Sequence, residues 1–344
     1  MKQRIRNRDT KYEAQSEGFV SSLQNYSAEE FRGDSRDRRS SALPDLLLRF
    51  AVIGVCIAVL GYSVYMIADK LAADYRAERA YEDIRASEEE YSPVRHALDL
   101  PEPKEMLTVQ QMLDAGGEYE DYVPSDYVPE DEKAHYASIY RNFLKLSAQY
   151  PDMYAWIYMT DTKVDYPVMK HNYGNPGKKP DNEFYLKHNY KGVESAAGSI
   201  SADVYLNDTF YANRNMIIYG HNMKGNLMFH SLKLWCEDDK NRSMIKTSQI
   251  EIYTKEGVYI YRILGWYIDN SRDFVQQNFS DEADFLNFVA NANKKAGRNK
   301  SGIEYNSESR VCTLITCTSG DPNNPYRYVV HGILNSFLSF DSEQ

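Results

Sequence analysis

The stretch VCTLITC, residues 311–317, is apolar and rich in β-branched side chains, a composition typical of a buried β-strand. It ends at Cys317, and a loop of Thr, Ser, Gly, Asp, Pro and Asn residues follows it. A second strand-like stretch, residues 327–333, begins ten residues later at Arg327. If the two stretches pair as a hairpin, Cys317 and Arg327 lie opposite each other where the connecting loop begins and ends.

Similar short β-like segments with turn signals between them occur throughout the C-terminal part of the chain. They are Trp156–Met159, Tyr166–Met169, Ser199–Ala202, Met216–Tyr219, Glu251–Thr254, Val258–Tyr267, Val311–Cys317 and Tyr326–Ile333.

Two amphipathic helices accompany these strands. Residues 136–150 place Ile139 and Phe143 on one apolar face, and residues 280–293 form a second helix that Ser280 can cap. Many short strands, two helices and no alternation of strand and helix predict a mainly β barrel or sandwich that begins near His135.

An uncharged run of 19 residues, positions 50–68, precedes this domain. As a helix it would extend about 28 Å, close to the ~30 Å hydrocarbon core of a bilayer. A buried core helix would carry a polar face, and the 49 residues before the run are too many for a signal peptide. The run therefore predicts a single membrane span.

The charges on either side of this span predict its orientation. The first 49 residues hold ten Lys and Arg and eight Asp and Glu, whereas residues 69–344 hold 30 basic and 42 acidic side chains. The slight positive-inside bias favours a cytoplasmic N-terminus and an extracellular body at the cell membrane. We expect four parts: a disordered cytoplasmic tail (1–49), a transmembrane anchor (50–68), a helical stalk and acidic linker (69–134), and the folded catalytic domain (135–344).

Composition excludes two broad classes of protein. The chain has 344 residues, 42% of them hydrophobic and 26% charged, with a net charge of −10. A general nucleic-acid binder would need a basic face, so nucleic acid is not an expected partner. Four cysteines in this length cannot form a disulfide framework.

The cysteine at the end of a predicted strand is a candidate nucleophile. Cys317 adjoins a loop while its backbone belongs to a rigid strand, and a cation such as Arg327 beside a thiol favours the thiolate. The residues alone leave open that Cys317 is simply a buried packing residue. Cys236 and Cys312 are expected to be structural, because Cys312 lies an odd number of residues before Cys317 and so on the opposite face of the strand.

One histidine occupies a similar position. His221 follows the apolar strand of residues 216–219 and a glycine, and an imidazole there can exchange protons with a thiol or an amine. Four of the other histidines are expected to be solvated, His96 and His135 in or beside the linker and His171 and His188 in polar loops; the remaining two are His230 and His331. No HExxH or CxxC spacing occurs, so neither a metal site nor a cofactor is expected.

These residues together resemble a known family. The string TLITC, residues 313–317, with Arg327 ten residues later, resembles the TLxTC…R signature of sortases. The string YGHNM, residues 219–223, resembles the histidine motif of class B sortases. The similarity extends over about residues 150–338, and a single N-terminal anchor agrees with it.

The resemblance implies a fold and a mechanism. It implies a closed β-barrel of about eight strands, with a helix before the barrel and another before the last two strands. Cys317 would attack the threonine carbonyl of a C-terminal sorting motif, His221 would transfer protons, and Arg327 would hold the substrate carbonyl or the oxyanion. Tyr219 and Thr318 would line the substrate groove. The thioester would pass to an amine of a peptidoglycan precursor, so the implied partners are secreted proteins with sorting signals, that amine, and the lipid bilayer through residues 50–68.

Three alternatives stay open at the level of sequence. The chain could be a pilin-polymerising sortase whose acceptor is a lysine of another subunit. It could be a cysteine peptidase that releases its acyl-enzyme to water. It could also be a surface receptor without catalytic activity, in which case replacing Cys317 would change nothing.

Overall fold

The computed structural model of the chain describes residues 42–89, 103–108, 130–173, 177–319, 321 and 323–340. The helices are α1 (Ala42–Glu89), α2 (Glu130–Gln149), α3 (Phe184–Lys187), α4 (His230–Glu237), α5 (Asn241–Met244) and α6 (Glu282–Ala296). The strands are β1 (Pro103–Thr108), β2 (Met153–Met159), β3 (Asp165–Met169), β4 (Ile200–Ala202), β5 (Asn215–Tyr219), β6 (Asn222–Met223), β7 (Leu227–Met228), β8 (Gln249–Thr254), β9 (Gly257–Asp269), β10 (Val311–Cys317) and β11 (Arg327–Phe340).

Eight of these strands form a closed barrel. Their order is β11-β10-β5-β4-β3-β2-β8-β9, and β9 pairs again with β11 to close the sheet. All eight correspond to the strand segments expected from the sequence, and α2 and α6 occupy the two expected helical positions. The predicted mainly β barrel is therefore confirmed.

Both faces of β10 are covered, which explains its continuous apolar sequence. On one face, Cys312 and Leu314 belong to the main core of the barrel. On the other face, Val311 and Ile315 pack in a second cluster with residues of α6 such as Phe285. The hydrophobic contacts between α6 and β10 thus hold in place the strand that ends at Cys317.

The N-cap of helix α6 lies one residue after the predicted cap, Ser280. Asp281 is the N-cap, and its carboxylate accepts the backbone N–H of Asp284. The hydroxyl of Ser280, the predicted cap, donates to the Asp284 side chain at 3.3 Å instead. A carboxylate at the helix N-terminus also interacts favourably with the helix dipole, which favours Asp281 in this position.

The first compact unit of the chain ends at Ala68 and contains the predicted span. Helix α1 includes a stretch, Leu47–Glu82, that is long and apolar enough to cross a membrane, with a mean hydropathy of 2.3 in its most apolar part. Its large apolar side chains, for example Ile57 and Leu60, are exposed. The length and composition expected for a span are therefore present in a continuous helix.

The second unit, residues 69–344, includes the C-terminal turns of α1. Tyr81 and Ile84 are buried, and the Tyr81 hydroxyl donates to the carbonyl of Gly198 at 2.8 Å. Helix α1 continues to Glu89, and its C-terminal part packs on the folded domain through Tyr81.

An unpredicted strand joins the same unit. Strand β1 pairs antiparallel with residues 336–340 of β11, within a part of the chain that the sequence suggested was only a linker. Residues 1–41, most of the proposed tail, and residues 90–102 and 109–129, most of the proposed linker, lie outside the described residues.

Candidate active site

Cys317 and Arg327 lie opposite each other, as the hairpin prediction requires. Strands β10 and β11 pair antiparallel with Cys317 and Arg327 as the pair nearest the loop. Directly opposed residues point to the same face of a sheet, so the thiol and the guanidinium share one face. Cys317 is partly exposed, whereas burial raises the pKa of the Cys312 and Cys236 thiols. Of these three thiols, the one at the strand end is the most accessible for reaction.

The guanidinium of Arg327 is held beside the loop that follows β10. Its Nη1 donates to the carbonyls of Asn324 and Tyr326 at 2.8 and 2.9 Å. The same loop is closed at its first residue, where the Thr318 hydroxyl donates to the carbonyl of Tyr326 at 3.3 Å. Thr318, predicted to line the groove, is partly exposed directly beside the thiol-bearing residue.

His221 reaches the same end of the barrel by a different route. Strand β5 runs parallel to β10 with Tyr219 opposite Ile315, and the N–H of Gly220 donates to the carbonyl of Ile315 at 3.1 Å. Two residues beyond that pair are His221, in the turn after β5, and Cys317, the last residue of β10. His221 and Cys317 therefore lie at the same end of the barrel.

A glycine is required before His221. A Cβ at Gly220 would lie 2.5 Å from Cδ1 of Ile200 and 2.6 Å from Cδ2 of Phe229. Any larger residue would therefore force the Ile200 and Phe229 side chains, or the backbone that carries the imidazole, to move.

The imidazole of His221 is oriented by a main-chain carbonyl. Its Nε2 lies 2.8 Å from the carbonyl oxygen of Leu186, so Nε2 donates and Nδ1 is the nitrogen available to accept a proton. Among the residues that the structure describes, no hydrogen bond joins this ring to the Cys317 thiol.

Hydrogen bonds of the Asn222 side chain link the segment after β5 to the end of β10. The amide Nδ2 of Asn222 donates to the carbonyl of Cys317 at 2.7 Å, and Oδ1 of Asn222 lies 2.6 Å from Nδ1 of His230. Because the amide oxygen can only accept, His230 donates from Nδ1. Burial and the nearby Lys233 lower the pKa of His230, which favours the neutral ring. Asn222, the residue directly after His221, is thus hydrogen-bonded to the backbone of Cys317, the candidate nucleophile.

The sequence did not indicate this linking role. Asn222 belongs to the quoted YGHNM string, but its partner on β10 is 95 residues away along the chain. Its place directly after His221 was the available signal. His230 lies outside any motif that we identified.

The side chain of Tyr219, the other predicted groove residue, makes contacts within the folded domain. Its hydroxyl donates to Oδ2 of Asp203 at 2.9 Å, and burial together with this carboxylate raises the pKa of Tyr219. Its ring packs against the cluster under α6. Tyr219 is therefore adjacent to His221 but firmly held by its own contacts.

His331 lies on β11 but cannot exchange protons with a substrate. It is buried, with its Nε2 at 2.9 Å from the Tyr267 hydroxyl and its Nδ1 at 2.9 Å from the Thr313 hydroxyl. Burial, with a smaller contribution from Lys295, lowers the pKa of His331 to about 3. The ring is neutral at physiological pH and serves the core.

Comparison with known proteins identifies the family. A sortase domain family model matches residues 157–335, slightly more than half of the chain. Sortase B of Listeria monocytogenes is 30% identical over 185 residues, which cover 53% of this chain and 70% of that protein. Sortase B of Staphylococcus aureus is 27% identical over 198 residues, which cover 57% and 75%. The crystal structure of Clostridium perfringens sortase B is 29% identical, covers 56% of this chain and 98% of its own, and superposes with a TM-score of 0.47. The chain therefore belongs to the sortase family of transpeptidases, and within it to class B.

Proposed function

We propose that this sortase cleaves a C-terminal sorting motif after threonine and joins the released protein to an amine of a peptidoglycan precursor. The observation that carries the proposal is the pairing of Cys317 with Arg327, beside the end of the strand that leads to His221. A nucleophile, a proton carrier and a cation next to a forming oxyanion are the three groups that acyl transfer needs.

In the first half-reaction, the sulfur of Cys317 attacks the threonine carbonyl carbon. The thiol proton passes to His221, and the carbonyl oxygen becomes an oxyanion that Arg327 stabilises. The tetrahedral intermediate collapses, the C–N bond breaks, and His221 gives its proton to the departing amine. A thioester between Cys317 and threonine is left.

In the second half-reaction, the acceptor amine attacks the thioester carbonyl. His221 takes a proton from the amine, the C–S bond breaks, and the new amide is released as Cys317 recovers its proton. Nδ1 of His221 is the atom we assign to both transfers, because Nε2 is bonded to the carbonyl of Leu186. Tyr219 and Thr318 are proposed to border the groove that holds the peptide.

The anchor is part of the same proposal. Residues 50–68 would cross the cell membrane once, with residues 1–49 in the cytoplasm and residues 135–344 outside as the catalytic domain. The apolar helix Leu47–Glu82 supports the span, and the excess of acidic residues after it supports the orientation. Residues 69–134 would connect the two parts, although Tyr81 of this segment packs on the domain.

Turnover by the full chain tests the proposal against its alternatives. Peptides with threonine at the cleavage position are incubated with and without an amine acceptor, and the products are read by mass. A transpeptidase gives an amide product and turns over faster with the amine, whereas hydrolysis at the same rate in both reactions would indicate a cysteine peptidase. A lysine-containing pilin peptide as the preferred acceptor would indicate the pilin-polymerising alternative. Unchanged cell-wall attachment in Cys317→Ala would indicate a receptor.

A further inference from the structure

A carboxylate lies on the other side of Arg327 from Cys317. Strand β11 pairs with β10 on one side and with β9 on the other, where Arg327 is opposite Asp269. Opposed residues of antiparallel strands share a face and have Cα atoms about 5 Å apart. Cys317, Arg327 and Asp269 therefore form a row across three adjacent strands, with the guanidinium in the middle.

Asp269 is ionised and would be a strong partner for a guanidinium. Burial opposes its charge, but hydrogen bonds from Lys295, Ser271 and two backbone N–H groups outweigh that effect and lower its pKa to about 2. An arginine and a carboxylate directly opposed on a sheet ordinarily form an ion pair, often with two hydrogen bonds. Such a pair would draw Arg327 away from Cys317.

That pair is absent among the described residues. Arg327 donates from Nη1 to two main-chain carbonyls of its own loop, as described above. Asp269 is instead held by Lys295, whose Nζ lies 2.5 Å from Oδ2 of Asp269 and 2.8 Å from Oδ2 of Asp273.

Lys295 is well placed to keep this carboxylate occupied. It belongs to the last turn of α6, a helix fixed by its buried apolar face. Its ammonium group lies over the ring of Tyr267 at 5.6 Å from the centroid and is also 3.0 Å from the Ser271 hydroxyl. The two carboxylates raise the pKa of Lys295 against the opposing effect of burial, so it stays charged.

We propose that Lys295 is a positioning residue that engages Asp269 and thereby leaves the guanidinium of Arg327 directed toward the reacting group on Cys317. The inference rests on the proposed function in one respect, the role of Arg327 at the oxyanion. It adds a residue from α6 that touches neither the substrate nor the thiol.

The first test needs no substrate. In a crystal structure of Lys295→Ala, we expect the guanidinium of Arg327 to bond the Asp269 carboxylate. If Arg327 keeps its bonds to the carbonyls of Asn324 and Tyr326 while Asp269 has no cationic partner, the inference is wrong. This outcome is independent of whether the substrate has been identified.

The second test is a rescue experiment with the full chain. In Lys295→Ala we expect kcat for transpeptidation to fall by about ten- to a hundredfold with little change in KM, because an oxyanion contact acts in the transition state. Adding Asp269→Asn removes the competing charge and should restore kcat to within about twofold of Asp269→Asn alone. A merely structural role for Lys295 would not be rescued by removing its partner.

Lys294→Ala is the matched control. Lys294 is in the same turn of α6 but exposed, so this variant makes the same change of charge without freeing Asp269. Thermal unfolding of all variants separates a loss of fold from a loss of positioning. If wild type turns over and Lys295→Ala is not rescued by Asp269→Asn, the inference fails alone; if Cys317→Ala is as active as wild type, the proposed function fails.

Discussion

The guanidinium of Arg327 contributes its shape as well as its charge to the proposed chemistry. It carries five N–H donors, and its two main-chain hydrogen bonds both use Nη1. The remaining donors lie in one plane and can bind an oxygen with two N–H groups at once. A lysine would supply the charge as a single flexible ammonium group. Arginine at this position is therefore expected to contribute more than electrostatic attraction.

Replacing this arginine should separate the two contributions. We expect Arg327→Ala to lower kcat by about 10²–10³, the usual cost of losing an oxyanion donor, and Arg327→Lys to lower it by an intermediate factor. Steady-state kinetics on a threonine-containing peptide measures both, and thermal unfolding controls for the fold. Wild-type kcat in Arg327→Lys would mean that charge alone is sufficient.

At the scale of elements, the strands could be predicted because each carries its own local signal. The residues of β10 are β-branched and apolar, and the segment that becomes β11 begins with the arginine that pairs with Cys317. The hairpin joins segments that are close in sequence, so the pairing of Cys317 with Arg327 could be predicted from their spacing alone.

The features that could not be predicted from the sequence depend on strand pairing between distant segments. The parallel pairing of β5 with β10, which brings His221 to the same end of the barrel as Cys317, joins segments about 100 residues apart and has no local pattern. Strand β1 has the sequence PKEMLT, with two charged residues, and becomes a strand only because the edge of β11 is available to it. The pairing of Asp269 with Arg327 depends likewise on how β9 closes the barrel.

The link between the turn after β5 and the end of β10 can be tested by removing one side chain. In Asn222→Ala, the carbonyl of Cys317 and Nδ1 of His230 both lose their partner, which should cost about 1–3 kcal/mol of stability. Because small displacements of reacting groups are costly, we also expect kcat to fall by up to about a hundredfold. Chemical denaturation and kinetics provide the two measurements.

Asn323→Ala provides the comparison, since Asn323 is an exposed asparagine of the loop after β10. We expect it to match wild type in both measurements. Equal effects of the two substitutions would mean that the hydrogen bonds of Asn222 have no special role.

At the scale of the whole molecule, the folded unit extends further toward the N-terminus than its amphipathic segments suggested. The end of α1 contributes Tyr81, whose ring lies 5.4 Å from that of Tyr166 in an edge-on arrangement, and Ile84. Strand β1 covers the edge of β11 at residues 336–340. Uncovered strand edges favour aggregation, so this segment serves both packing and solubility.

Two shortened chains test this extent. A chain of residues 69–344 retains both contacts, whereas a chain of residues 130–344 loses them. Burial of Tyr81 and Ile84 contributes roughly 1.5–3 kcal/mol per side chain. At about 2–4 °C per kcal/mol for a domain of this size, the shorter chain should unfold about 6–24 °C lower. Differential scanning calorimetry measures the difference. Equal unfolding temperatures would show that residues 69–129 do not stabilise the domain.

The central claim is that the thiol at the end of β10 becomes acylated by the substrate. Intact-mass analysis of the full chain, mixed with threonine-containing sorting peptides and quenched in acid, tests this directly. We expect an adduct equal to the N-terminal part of the peptide, removed by hydroxylamine, mapped to Cys317 and missing in Cys317→Ala. An adduct that persists in Cys317→Ala, or peptide turnover by that variant at the wild-type rate, would contradict the account.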